Sequence, residues 1–328
     1  MKKLTDEIPG VSDSTKRLAI WDTVPGNSER SKLDDMLIDF DRDNFSFSSR
    51  SIVGTTFSEE KKALDSFTYY SQIVRGYTPA EYTDEPYLIP YAVKEKRPSV
   101  IVIPGGGYGC VTSDGADYEG KSVALELNER NISAFVLHYR VNPYHHPLPL
   151  LDVQRAVRFL KKNAAELGID PEKIALIGFS AGGYEIAGFL NLIRGRDFFS
   201  SDYTPDDTDN VDDGVFAAGL VYPVVNYRYN VPMLFCSYPA QDVRDDAERE
   251  RLLDESDTAL RFDSADVSQF ITYGVNDSIV NAQGPEEYIR CARLAGTDIT
   301  ALPVEGVDHG YGRNHYFPQF LDWLEKRL

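Results

Sequence analysis

The chain is poor in cysteine, short of basic residues and without a long apolar run. Cys110, Cys236 and Cys291 are its only cysteines in 328 residues. An odd number at wide spacing speaks against a disulfide framework or a cysteine-based metal site, and suits free thiols in a reducing compartment. Lys and Arg number 34 against 52 Asp and Glu, a formal net charge of -18. That balance argues against nucleic acid or an anionic membrane as a partner. An acidic, solvated surface is the plain reading, with only a weak leaning toward neutral or cationic substrates. No stretch approaches the length of a membrane-crossing helix. Lys2 and Lys3 have no apolar run behind them, so a secretory signal of the usual kind is not expected there, and a cytoplasmic location is the expectation. Internal repeats and low-complexity tracts are also missing.

With 42% hydrophobic and 26% charged residues, the composition is that of a globular protein, and the length suits one large α/β domain or one domain with an appendage. Residues 1–85 alternate Asp- and Ser-rich pieces with aromatic ones. Segments 51–57 and 67–74 read as strands. Aromatic and β-branched residues are too frequent there for disorder, and an N-terminal extension packed on the core is expected. From residue 86 strands and helices alternate, the pattern of an α/β protein whose mostly parallel central sheet is flanked by helices. Strands are expected at 87–93, 99–103, 132–140, 173–177, 215–225, 270–273 and 299–304, the first near a sheet edge because of Pro90. Helices are expected at 119–131, 152–167, 242–253, 284–295 and 317–328. The clearest is 152–167, where Val153, Ala156, Val157, Leu160, Ala164 and Leu167 share one face. Residues 226–266 read as irregular, a small insert.

The organising stretch is Gly178-Phe179-Ser180-Ala181-Gly182. A strand leads into it and a buried helix leaves it. That context makes the pattern a nucleophile elbow, a turn so tight that only glycines fit on either side of the serine. The helix that follows directs its positive end at the hydroxyl.

A serine hydroxyl needs a base, and near neutral pH histidine is the side chain that serves. His309, in the glycine-rich loop 306–312 after the final strand, is the candidate general base. His138 lies inside an apolar strand and reads as a core residue. His145 and His146 read as rim or surface residues, and His315 as a surface or capping residue. The acid that orients the imidazole is assigned to Asp277, at another strand end. Asp308 ranks behind it because adjacent side chains diverge. The order serine, acid, histidine is that of α/β-hydrolases. Gly105-Gly106-Gly107 ends a buried strand ahead of the nucleophile. The amides of Gly106 and Gly107, with that of Ala181, are the candidate oxyanion hole. The rival, a phosphate cradle, lacks the Lys-Ser/Thr of a P-loop and the G-x-G-x-x-G spacing. Neither a metal nor an organic cofactor is expected.

Pro104 to Tyr108, His138-Tyr139-Arg140, the run from Pro147 through Gly183, Tyr222-Pro223-Val224 and the loops of Asp277 and His309 together resemble the bacterial esterase/lipase group of α/β-hydrolases. That group includes acetyl-xylan-esterase-like and hormone-sensitive-lipase-like enzymes. The resemblance covers roughly residues 86–328 and implies an α/β-hydrolase catalytic domain there, with 1–85 as the extension. It implies a serine carboxylester hydrolase acting on small ester substrates with short acyl groups, acetylated carbohydrate among them. Tyr184 stands where relatives often carry histidine, and Val280-Asn281 where they often carry Val-Pro. Two other classes stay open: a serine peptidase of the same fold, and a non-catalytic binding protein on a hydrolase scaffold. A homo-oligomer is also open.

Overall fold

The structure is a computed structural model that describes residues 3–4, 17–26, 85–93, 96–108, 111, 119–141, 144–230 and 233–328. The strands expected at 51–57 and 67–74 lie outside the described residues. In chain order the strands are β1 Lys3–Leu4, β2 Arg17–Ala19, β3 Tyr87–Tyr91, β4 Arg97–Ile103, β5 Ser133–His138, β6 Ile169–Phe179, β7 Ala217–Val221, β8 Ser268–Gly274 and β9 Ile299–Val304. Among the described residues they form a nine-stranded sheet in the order β1-β2-β3-β5-β4-β6-β7-β8-β9. The first three strands pair antiparallel, as does β3 with β5. Every pair from β5 through β4, β6, β7 and β8 to β9 is parallel.

The near-continuous apolar runs of β4 and β6 follow from burial on both faces. Ile101, Ile103 and Leu176 point into one core, and Val100, Val102, Ile177 and Phe179 into the other. The first core is covered by α2 (Leu148–Lys162), α4 (Ala181–Gly188) and α8 (Gln283–Leu294), with a short α3 (Ala164–Leu167) after α2. The second is covered by α1 (Lys121–Glu129) and α9 (Phe317–Glu325), through Val123, Leu127, Phe317, Phe320 and Leu324. Residues between β7 and β8 form the short helices α5 (Leu234–Ser237) and α6 (Ala240–Arg244) and the longer α7 (Asp246–Glu255).

β3 lies third from one end of the sheet, near an edge as expected: among the described residues its pairing with the short β2 ends at Leu88, so Pro90 pairs on one side only, with Phe135 of β5. Two expectations are revised. The helix expected at 152–167 begins four residues earlier, with Pro149 in its first turn where a missing N–H costs nothing. It is broken at Asn163 before ending at Gly168, whose φ of 67° closes the helix. The strand expected at 215–225 is shorter, Ala217–Val221, because Tyr222 turns at φ 36° and Pro223 has no donor to offer.

Residues 17–26 are packed on α2. Trp21 Nε1 donates to Asp152 Oδ1 at 2.9 Å, and Arg155 Nε donates to the Ile20 carbonyl at 2.7 Å. Asp152 also holds Arg140 through Nε and Nη2 at 2.8 and 2.7 Å, and Arg140 Nη1 donates to the Pro25 carbonyl. Both charged side chains are fully buried. Breaking such a pair by removing one partner costs about 3–5 kcal/mol.

Candidate active site

β6 hands the chain to α4 through Ser180, which sits at φ 54°, ψ -115°. That is a strained conformation for a residue with a side chain, costing about 1–3 kcal/mol. Neighbours hold it in place. The Ser180 N–H donates to the Val221 carbonyl at 3.0 Å, and its own carbonyl accepts from Gly183 and Val224 at 3.0 and 3.1 Å. The closeness of strand and helix is measurable at the flanking glycines. A Cβ on Gly178 would lie 2.2 Å from the Gly182 carbonyl oxygen, and one on Gly182 would lie 2.1 Å from that of Ile103.

The loop after β9 brings His309 over this turn. His309 Nε2 lies 2.9 Å from Ser180 Oγ, and Nδ1 lies 2.8 Å from Asp277 Oδ2. Asp277, in the loop after β8, is held by its other oxygen, which accepts the N–H groups of Ile279 and Val280 at 2.8 and 2.9 Å. Its side chain is 1% exposed and that of His309 13%, so the carboxylate is sealed while the imidazole keeps an open face. Ser180, Asp277 and His309 thus meet at the carboxyl ends of the parallel strands, where α/β sheets present their sites. Asp308 faces elsewhere. It accepts from the Ser278 N–H and hydroxyl at 2.8 and 2.7 Å and from the His309 N–H at 2.8 Å, so it braces one loop against the other.

The glycine-rich loop after β4 runs beside the nucleophile. A Cβ on Gly105 would fall 2.8 Å from the Phe179 carbonyl oxygen and 3.0 Å from Ser180 Cβ. Gly106 and Gly107 follow at φ 131° and 59°. Tyr139 donates to the Pro104 carbonyl at 2.8 Å and Tyr108 to the Ala181 carbonyl at 3.3 Å, which pins the loop at both ends. Ala181 opens α4, so its N–H precedes the first intrahelical bond.

Of the remaining histidines, His138 stacks on Tyr87 at 4.6 Å inside the fold, and His315 is exposed. His146 departs from expectation: its side chain is 3% exposed, not at a rim. Its N–H donates to the Ser237 carbonyl at 2.9 Å, so α5 covers it. Its ring lies among Tyr108, Tyr184, Tyr227 and Tyr238. Burial and the neighbouring His145 hold its imidazole down at about 3, and burial holds His145 at about 4. Glu185 lies in the same cluster, 3.9 Å from His146, and burial pushes its carboxyl well above the usual range. Tyr184 turns its hydroxyl to the Ser256 carbonyl at 2.8 Å.

Two residues that sequence reasoning did not place at the site belong to its surroundings. Tyr222 packs edge-on to His309 with ring centroids 5.0 Å apart. Glu119 accepts from Tyr222 and from Gly105. An acid shortly after the glycine-rich loop was the only signal for the latter.

The family model BD-FAE matches residues 87–287, more than half of the chain and the whole stretch from β3 to the Asp277 loop. The chain belongs to the BD-FAE family. Its fold is the α/β-hydrolase fold. The BD-FAE match stops short of His309, which the sheet nevertheless brings to the site. Among similar proteins, endo-1,4-beta-xylanase B of Butyrivibrio fibrisolvens is 38% identical over 135 residues, 40% of this chain and 20% of that protein. The acetylxylan esterase of Xylanibacter ruminicola is 24% identical over 225 residues, 67% of this chain and 42% of that protein. The chain therefore spans less than half the length of either curated relative. The acetyl ester-xyloside bifunctional hydrolase of Caldicellulosiruptor lactoaceticus superposes with a TM-score of 0.62 at 28% identity, covering 76% of this chain and 88% of that one.

Proposed function

We propose that this BD-FAE chain is a serine carboxylester hydrolase that cleaves short-chain acyl esters through an acyl-enzyme, with acetylated carbohydrate as its substrate class. The observation that carries the reading is the continuous chain of contacts from Ser180 Oγ through the His309 ring to Asp277 Oδ2, at 2.9 and 2.8 Å. Ser180 Oγ attacks the ester carbonyl while His309 Nε2 takes its proton. Asp277 holds the Nδ1 proton and stabilises the imidazolium that forms. The amides of Gly106, Gly107 and Ala181 receive the oxyanion, each donor being worth about 3 kcal/mol in the transition state. His309 then returns the proton to the leaving alcohol. A water molecule, deprotonated by the same imidazole, releases the acid and restores Ser180. The names of the relatives support acetyl on xylan-type sugars as the first substrates to try. In this reading residues 86–328 form the catalytic domain and 1–85 an N-terminal extension, most of which lies outside the described residues; a cytoplasmic location is part of the proposal.

The test is turnover of p-nitrophenyl acetate with a pre-steady-state burst, together with labelling of Ser180 by a fluorophosphonate. An acyl-chain series and acetylated xylo-oligosaccharides then rank the substrates. Protein that gives neither turnover nor label contradicts the reading. Turnover that falls steeply beyond acetyl and propionyl supports the short-acyl assignment.

A further inference from the structure

Glu119 is buried, 7% exposed, immediately before α1. Its two carboxylate oxygens are spent on two different parts of the site. Oε2 accepts the Gly105 N–H at 2.7 Å, and Oε1 accepts the Tyr222 hydroxyl at 2.8 Å. These are charge-assisted bonds, roughly twice as strong as neutral ones. The Gly105 bond fixes the peptide that leads into Gly106 and Gly107, the amides assigned to the oxyanion. The Tyr222 bond fixes a ring that packs edge-on to His309 at 5.0 Å, and that itself turns at an unusual φ of 36° directly after β7. One carboxylate therefore ties the oxyanion loop to the wall behind the catalytic imidazole, across β4, β6 and β7.

We infer that Glu119 is a positioning residue for the hydrolysis proposed above, on which this inference rests: it sets the distance between the oxyanion donors and the His309 face. It acts through Gly105 and Tyr222. The expected signature is a loss in kcat with KM little changed, because the oxyanion forms only in the transition state. A misplacement of about 1 Å at such a site costs on the order of a hundredfold.

The experiment compares wild type, Ser180→Ala, Glu119→Ala, Glu119→Gln and Tyr222→Phe on p-nitrophenyl acetate, each with its thermal midpoint. Glu119→Ala is expected to lower kcat by about ten- to a hundredfold with KM within about twofold. Glu119→Gln is expected to recover most of that loss. Its amide oxygen accepts from Gly105, and its NH2 donates to the Tyr222 hydroxyl, which can also accept. Tyr222→Phe keeps the ring and loses one bond, so a smaller kcat loss is expected. Wild-type kcat in Glu119→Ala, alongside an inactive Ser180→Ala, overturns the inference and leaves the hydrolase reading standing. Wild-type rates in Ser180→Ala overturn the hydrolase reading itself. If Glu119→Ala does not fold, Glu119→Gln and Tyr222→Phe decide. Losses that track the fall in thermal midpoint, or fall on KM, assign Glu119 to stability alone and overturn the inference.

Discussion

Two clusters in this molecule hold the same chemical groups. At the carboxyl ends of the strands stand a serine, a histidine and an aspartate. Beside α4 stand Ser237 and His146, facing Glu185 of that helix, with the Tyr227 hydroxyl 2.8 Å from Ser237 Oγ and 3.2 Å from His146 Nε2. In the first, carboxylate and imidazole meet at 2.8 Å and the carboxylate is further held by two amides. In the second they stand 3.9 Å apart, enclosed by tyrosines. Burial drives both of those groups toward their neutral forms, the acid upward and the base downward. What separates the two is that in the first, hydrogen bonds aim the carboxylate at an imidazole that keeps one face open, and in the second they do not.

The sharpest way to break this contrast is to remove the Ser180 hydroxyl, the proposed nucleophile. Ser180→Ala is expected to lower kcat on p-nitrophenyl acetate by about 10⁶-fold, whereas Ser237→Ala leaves kcat within about tenfold; equal losses would erase the distinction. Next in size is Asp277→Asn, expected to cost about 10⁴-fold by presenting the wrong tautomer of His309. Asp308→Asn, which only loosens the brace to Ser278, is expected to cost about tenfold or less. Steady-state kinetics on the four variants measures all of these.

Smaller effects concern stability and acidity. His146 titrates near 3 when folded and near 6.5 when unfolded. As pH falls from about 6.5 toward 3 the unfolded chain takes up a proton that the native state refuses, so stability drops. His146→Asn is expected to flatten that part of the curve of thermal midpoint against pH. Glu185 has the opposite sign. Its native pKa lies above the ordinary 4.5, so the native state keeps a proton that the unfolded chain releases, and stability declines as pH rises past about 4.5. Glu185→Gln, an isostere of the neutral acid, is expected to gain on wild type as pH goes from 5 to 8, with about 1 kcal/mol or less separating them near pH 5. An unchanged slope in either variant would mean that the group is solvated.

The meeting of Ser180, Asp277 and His309 was legible because each sits just after a strand, and strand order fixes where such turns and loops gather. Ser180 follows β6, Asp277 follows β8 and His309 follows β9; periodicity and glycine alone locate all three. Glu119 and Tyr222 were not legible as a pair, since their bond spans 103 positions and depends on how β4, β6 and β7 align. His146 was misjudged for a related reason. Its loop is flanked by prolines and looks external, but α5 closes over it, and α5 lies in the stretch 226–266 that carries no clear periodicity. The early end of β7 was hidden as well, because the apolar run continues past Tyr222 while the backbone has already turned.

The segment 17–26 has a consequence for where this protein can be cut. Arg140, at the heart of the molecule, receives a carbonyl from Pro25, and Asp152 receives the indole of Trp21. Both contributors lie upstream of residue 87, where the family match begins. A truncated chain starting at that point would keep Ser180, Asp277 and His309 yet take the Pro25 carbonyl from Arg140 Nη1, leaving that guanidinium to Asp152 and Leu148, and uncover the flank of α2. Such a fragment should express poorly or melt early, so the smallest autonomous unit extends beyond its recognisable family segment.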